Sequence, residues 1–375
     1  MMSKPCALTS RQPDSNDLPS NRNEYNAIDI AKFVFSILVI SIHVAPLGRP
    51  DNRIIIELNF YIQNWFARSA VPFFFVSSGF FLYKKTSLEG FSLTATKTYV
   101  VKLIKLYAVW TLIYSPCRIK DILADPAGVQ HGILVYARDI VFTSSYEHLW
   151  YLPALIFAVA LISFLLSRGI RLNRILTAAA LLYAAGLLAQ SWFGIIEPLR
   201  IHAPKLWSLL KLSSTIIGTT RNGLFEGFFF VGMGAYFAFN GFPLQQKKAL
   251  WGILISYTLM LAEAIVVRRF DLARGYDMYI FLVPLTWFMF GFALNRRIPR
   301  KSDRFKTLRK MSSLIYYSHI SVMYIAYRSF NMVGIHIKGT CWNFVFTVLF
   351  SIACSFAVYR LSQRPRFGWL KKLYA

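Results

Sequence analysis

Acidic residues are scarce in this 375-residue chain: 17 Asp and Glu stand against 42 Lys and Arg, a formal net charge of +25. Cysteine is scarcer still. The four present (Cys6, Cys117, Cys341 and Cys354) are too scattered for metal-ligand or redox-motif spacing, and the six histidines form no ligand pair either. A zinc module and a disulfide framework are therefore excluded, and free thiols are expected; Cys117 and Cys341, both expected near the same outer face, are the one pair that an oxidising compartment would let meet. There is no glycine-rich phosphate loop, so nucleotide hydrolysis of that type is excluded. Residues 1–24 contain no apolar run and read as a polar tail, expected to be disordered, rather than as a cleavable signal peptide. Room for a soluble domain is also lacking, since the longest polar connection expected on the outer side is about thirty residues, around 117–147.

What is abundant is apolar. Hydrophobic residues make up 56% of the chain, aromatics 17% and charged residues only 16%, which is the composition of a polytopic membrane protein and not of a soluble globule. The densest basic stretch, "NRRIPRKSDRFKTLRK" at 295–310, lies between two apolar runs, so it reads as a cytoplasmic loop and not as a nucleic-acid site. Ten segments are long enough to span a bilayer as helices. Five are cleanly apolar: 149–166, 175–196, 249–267, 278–294 and 341–359. Five, near 27–47, 66–83, 99–116, 222–239 and 311–328, carry polar or ionisable residues. The expected fold is thus all-α, a transmembrane bundle of about ten helices over 25–360, with a basic tail at 361–375. With the N terminus inside, the inner segments carry 24 Lys and Arg and the outer ones 15, which places both termini in the cytoplasm.

Function is expected in the five polar segments, because an ionisable group in lipid is costly and is usually turned toward protein or a water-filled cavity. In "DIAKFVFSILVISIHVAP", residues 29–46, Lys32 and His43 are eleven positions apart, about three helical turns, so they share one face roughly 16 Å apart along the axis. Asp29, one turn before Lys32, is placed to pair with it. Two readings fit: a face lining a path across the bilayer, or a snorkelling lysine with a histidine bound to a neighbouring backbone.

Further motifs follow in order: "RSAVPFFFVSSGFFLYKK" at 68–85, the basic positions Lys102 and Lys105 in "YVVKLIKLYAVW", "EHLWYL" at 147–152, "NGLFEGFFFVGMGAYF" at 222–237 and "SSLIYYSHISVMY" at 312–324. In order and spacing this series, from about residue 24 to 330, resembles the membrane-bound acyltransferase family 3. It departs from the usual pattern in carrying Lys32, Lys102 and Lys105 where arginine is common, which keeps the charge and loses bidentate phosphate contacts.

The resemblance implies transfer of an acyl group, acetyl by expectation, from cytoplasmic acyl-CoA to a hydroxyl of a surface glycan or lipid-linked sugar at the bacterial inner membrane, with no tightly bound cofactor. On that reading His43 is the general base, and Lys32, with Asp29, holds the donor arm or shapes the channel field. Lys97, Lys102 and Lys105 meet the donor phosphates, or else mark a cytoplasmic boundary. Ser78, in the Ser77–Ser78–Gly79 run, lets the donor arm pass or simply lets helices pack closely. The acceptor side takes Arg68, Glu147, His148, Trp150, Glu226 and His319. Each also has a plainer role: headgroup anchor for Arg68, interface anchor for His148 and Trp150, buried structural group for Glu226 and His319. Glu147 and His148, being adjacent, would not share a helix face. The alternative function is a secondary transporter or flippase of a glycan or lipid precursor, which uses the same kind of intramembrane charge.

Overall fold

The computed structural model describes residues 25–49, 51–89, 93–298 and 303–374. The polar tail at 1–24, with Cys6, lies outside the described residues, as does the 299–302 part of the basic 295–310 stretch. No strand occurs among the described residues, and the helices follow one another in short steps. They are α1 (Asn26–His43), α2 (Arg53–Tyr61), α3 (Ala70–Glu89), α4 (Leu93–Leu123), α5 (Val129–Phe142), α6 (Tyr151–Ser167), α7 (Leu172–Leu188), the short α8 (Phe193–Ile196) and α9 (Leu199–His202), α10 (Pro204–Ile217), α11 (Phe228–Asn240), α12 (Gln246–Arg269), α13 (Leu282–Asn295), α14 (Asp303–Met332) and α15 (Cys341–Ser362).

Six helical stretches are long and apolar enough to cross a membrane, or seven if α7 and the α8–α9 pair, bent by 82°, count as one span. All ten segments expected from the sequence coincide largely with helices, but α13 has only 14 residues, α11 only 13, and α14 is too polar for the same test. The reason is visible in α11. Phe228, Phe230, Val231, Met233, Phe237 and Ala238 are all buried, so this helix answers to its protein neighbours and not to lipid thickness. The basic 295–310 stretch is also not wholly a loop, because α14 begins at Asp303.

The outer surface has the inverse pattern. On α15 the inward stripe is Thr347, Ser351 and Ser355, four residues apart and buried against α14, while Trp342, Leu349, Phe350 and Phe356 are exposed. Helices in lipid gain nothing from burying apolar side chains against each other and associate through small residues that let backbones approach. The pairing of α3 with α11 uses the same device. A Cβ added at Gly79 would strike the Val231 carbonyl, and one at Gly234 would strike the Val76 carbonyl, so both glycines sit at a backbone-to-backbone crossing. Gly234→Val should therefore lower the thermal stability of the detergent-purified protein by about 1–3 kcal/mol or more, the usual cost of overpacking. Size-exclusion recovery after heating measures it. A wild-type melting profile would show that the two helices can part freely.

The chain end is docked: the Trp110 indole donates to the Leu373 carbonyl at 3.0 Å, and the hydroxyls of Ser362 and Tyr374 lie 2.6 Å apart. Cys117, Cys341 and Cys354 are free and exposed, so the Cys117–Cys341 bridge is not formed.

Candidate active site

One end of the bundle holds a cavity of about 360 Å³ whose lining comes from helix ends far apart in sequence. His43 is the last residue of α1. Arg68 lies in the turn Ala67–Ser69 that leads into α3, and Asp277 lies in the connection before α13. His148 sits in a 3-10 turn, Glu147–Trp150, that opens α6. Arg221 and Glu226 flank the start of a π-helical turn, Gly223–Gly227, leading into α11.

Local chemistry explains the placements. Asn222 caps the π-turn, its side-chain oxygen accepting from the backbone N–H of Leu224 at 2.9 Å and Phe225 at 3.1 Å. Gly223 and Gly227 let this turn press on the Ala154 carbonyl of α6, where a Cβ would come within 2.7 and 3.1 Å. The glycine-rich sequence thus serves to bring Glu226 to the cavity wall, where it is 2% exposed and its Oε2 has no partner among the described residues.

Charge at the cavity is organised around Asp277. Its Oδ1 accepts from Arg68 Nη1 and, at 3.1 Å, from Arg221 Nη1. Arg68 also donates to Asn64 Oδ1 at 2.8 Å, and the Arg221 guanidinium lies 5.0 Å from the Trp150 ring centroid. Burial alone would raise the Asp277 carboxyl. Arg68, then Arg221, outweigh it and hold the group below the ordinary carboxylate range. Arg118 faces the cavity from α4, 3.5 Å from Asp139 of α5.

Three histidines meet beside this wall. The ring centroids of His43 and His319 are 5.2 Å apart, those of His148 and His319 4.9 Å, and those of His43 and His148 6.4 Å. His148 Nε2 donates to the Tyr317 carbonyl at 2.9 Å, and His319 Nδ1 donates to the Tyr316 carbonyl at 2.8 Å. The remaining nitrogens, His148 Nδ1 and His319 Nε2, are buried and have no partner among the described residues. No group of three His, Cys, Asp or Glu among the described residues is arranged to hold a metal ion. Three imidazoles beside a half-buried cavity make this a place for moving a proton to or from a bound hydroxyl.

A family model described as an acyltransferase domain, that of acyltransferase family 3, matches residues 25–360. The chain belongs to that family. It is also 29% identical over 282 residues to an amino-acid racemase of Enterococcus faecalis, covering 75% of this chain and 37% of that protein. A second amino-acid racemase of E. faecalis is 27% identical over 346 residues, 91% of this chain and 46% of the relative. A serine/alanine racemase of Enterococcus gallinarum is 27% identical over 272 residues, 72% and 37% respectively. The chain therefore spans less than half the length of these relatives. No solved structure matches it.

For a chain of this family, the structure gathers His43, Arg68, Glu147, His148, Trp150 and Glu226 around one cavity, with the His319 ring outside the lining and 5.2 Å from that of His43. Glu147 is exposed and makes no hydrogen bond to His148. Asp29 and Lys32 lie near the start of α1, away from the lining. There the expected Asp29–Lys32 pair gives way to a cross-helix one: Arg309 Nε and Nη2 donate to the two Asp29 oxygens at 2.7 and 2.6 Å. A guanidinium fork matches both carboxylate oxygens at once, which an ammonium one turn along the same helix does not. Lys97, Lys102 and Lys105 are exposed on α4 and do not line the cavity. Ser78 is engaged with Tyr151, hydroxyl to hydroxyl at 2.8 Å, tying α3 to α6. The sequence reading missed Arg221, Asp277, Arg118 and Asp139. Arg221 directly precedes the "NGLFEG" segment and Asp277 is a lone acid opening an apolar run, so position at a span's edge was the available signal.

Proposed function

We propose that this chain is a membrane O-acyltransferase that moves an acyl group, acetyl in the first instance, from cytoplasmic acyl-CoA to a hydroxyl of a surface glycan or lipid-linked sugar at the bacterial inner membrane. The observation that carries this is the convergence of His43, Arg68, His148, Arg221 and Glu226 on one cavity in a chain of an acyltransferase family. His43 takes the hydroxyl proton as the oxygen attacks the thioester carbon, and returns it to the departing thiolate. Arg68 and Arg221 supply cationic hydrogen-bond donors for anionic groups of the acceptor. The excess of Lys and Arg on alternate connections supports a ten-span arrangement with both termini inside, which puts the exposed Lys97, Lys102 and Lys105 at the face where a phosphorylated donor arrives.

Membrane vesicles of defined sidedness test the donor and the orientation together. Labelled acetyl-CoA does not cross a bilayer, so inverted vesicles, which expose the cytoplasmic face, should incorporate label into glycan or lipid-linked sugar, and sealed right-side-out vesicles should not. Incorporation only in right-side-out vesicles would overturn the orientation, and none in either would overturn the donor. A transporter reading with an amino acid as cargo, in place of the glycan or lipid precursor expected from the sequence, draws on the racemase names of the relatives and on the mixed charge of the cavity, with arginines for a carboxylate and Glu226 for an ammonium. It predicts uptake of an amino acid by vesicles without any acyl-CoA.

A further inference from the structure

His43 makes no hydrogen bond to any described residue, although one nitrogen of a neutral imidazole always carries a proton. A general base works only if its lone pair faces the substrate, so the other nitrogen's N–H must be held by an acceptor elsewhere. Beside His43 the structure offers two buried lone pairs, on His148 and on His319, the second outside the cavity lining. His319 Nδ1 is committed as a donor to Tyr316 O, and His148 Nε2 as a donor to Tyr317 O, so in both rings the other nitrogen is an acceptor with no donor among the described residues. His319 is fully buried and His148 is 1% exposed. An unmet buried acceptor is costly, and two of them beside one unassigned N–H are a matched set.

His319 is the nearer. Two imidazoles joined by an ordinary N–H···N bond have ring centroids about 5 Å apart, and those of His43 and His319 are 5.2 Å apart. Its tautomer is fixed by α14 itself. The Tyr114 hydroxyl donates to Tyr317 O at 2.9 Å and accepts from Ser321 N at 3.3 Å, inserting between two groups that a regular helix would join. That opening frees the Tyr317 carbonyl for His148, while Tyr316 O takes His319 one residue earlier.

We infer that His319 is the positioning residue of His43: the two rings, not bonded in the described arrangement, lie close enough that a turn of the His43 ring gives its inner N–H to His319 Nε2, fixing the tautomer that turns the His43 lone pair to the acceptor hydroxyl. When His43 takes the hydroxyl proton, the imidazolium's inner N–H bond to His319 strengthens, and the proton leaves again to the thiolate, so both rings end neutral. This step rests on the acyl-transfer reading; the tautomer claim does not.

The test uses two isosteric changes in the full-length protein. An Asn amide nitrogen occupies the place of His Nδ1 and keeps the bond to Tyr316 O, with nothing toward His43. A Gln amide oxygen reaches the place of Nε2 and keeps an acceptor for His43. Nitrogen NMR of ¹⁵N-histidine-labelled protein, assigned with His43→Gln, should show His43 in one tautomer in wild type and in His319→Gln, and a mixture in His319→Asn. Transfer should fall by at least about tenfold more in His319→Asn than in His319→Gln. An unchanged His43 tautomer in His319→Asn, or the reverse order of activities, would make His319 a structural peg and overturn the inference. A wild-type protein that transfers nothing yet shows the tautomer shift would retire the acyl-transfer reading and leave the His43–His319 coupling standing.

Discussion

His43→Ala should reduce acyl transfer by about 10² to 10⁴-fold, the usual contribution of a general base, while the protein still inserts and elutes as wild type. The effect is expected to be this large because nothing else can replace it. The neighbouring imidazoles, His148 and His319, are each tied through one nitrogen to a backbone carbonyl of α14. The fold should tolerate the loss, since His43 is the last residue of α1 and is only half-buried. His43→Gln, which keeps bulk and polarity but cannot take up a proton, should be as inactive as His43→Ala. Transfer measured with labelled acetyl-CoA on equal amounts of well-folded protein decides this. Activity within a few-fold of wild type in either variant would remove His43 from the chemistry and shift weight to a transport role for the cavity.

How much of this was legible beforehand depended on whether one chain segment carried the information. Along α1, period and spacing put Lys32 and His43 on one face, and the structure sends them to opposite ends of that helix, His43 to the cavity and Lys32 to the neighbourhood of Asp29 and Arg309. A within-helix pair was the natural expectation for Asp29, yet its partner comes from 280 residues away, a choice that no local pattern encodes. The same holds for Arg68, Arg221 and Asp277. Each sits at the end of a different helix, and only the packing of α3, α11 and α13 reveals that one carboxylate serves two guanidiniums. Span counting was limited by a different cause. Apolarity and length identify helices that face lipid, whereas α11 and α14 are shaped by the protein interior and escape that measure in the structure even though their sequences alternate glycine, aromatic and polar residues in a helical run.

Removing Asp277 should disable the cavity by a route that leaves His43 untouched. The carboxylate joins Arg68 and Arg221, and the three side chains are 15%, 29% and 16% exposed for Arg68, Arg221 and Asp277, so the group is mostly screened from water. Breaking a buried pair by deleting one partner typically costs about 3–5 kcal/mol, because the surviving charge stays buried without compensation. Here two positive charges would survive, facing each other, but their residual exposure lets water relieve part of the cost, so about 2–3 kcal/mol is the expected loss for Asp277→Ala. Glu226, whose Oε2 has no partner among the described residues, lies on the same wall and could swing toward the freed guanidiniums, which would pull the π-turn at Gly223–Gly227 out of register with α6. Stability and transfer should therefore fall together. The pH dependence has a definite sign: a carboxyl held below its ordinary value stabilises the fold above that value and loses its contribution as pH drops through the folded-state value, so wild type should lose stability in acid near and below about pH 4 and Asp277→Ala should lose less. A double change, Asp277→Ala with Arg68→Ala, should be less damaging than the sum of the two single changes, because each removes part of the other's unpaired charge. Thermal recovery profiles of the four proteins at neutral and acid pH measure the coupling, and strict additivity would mean that Arg68 and Asp277 do not hold each other in the folded protein.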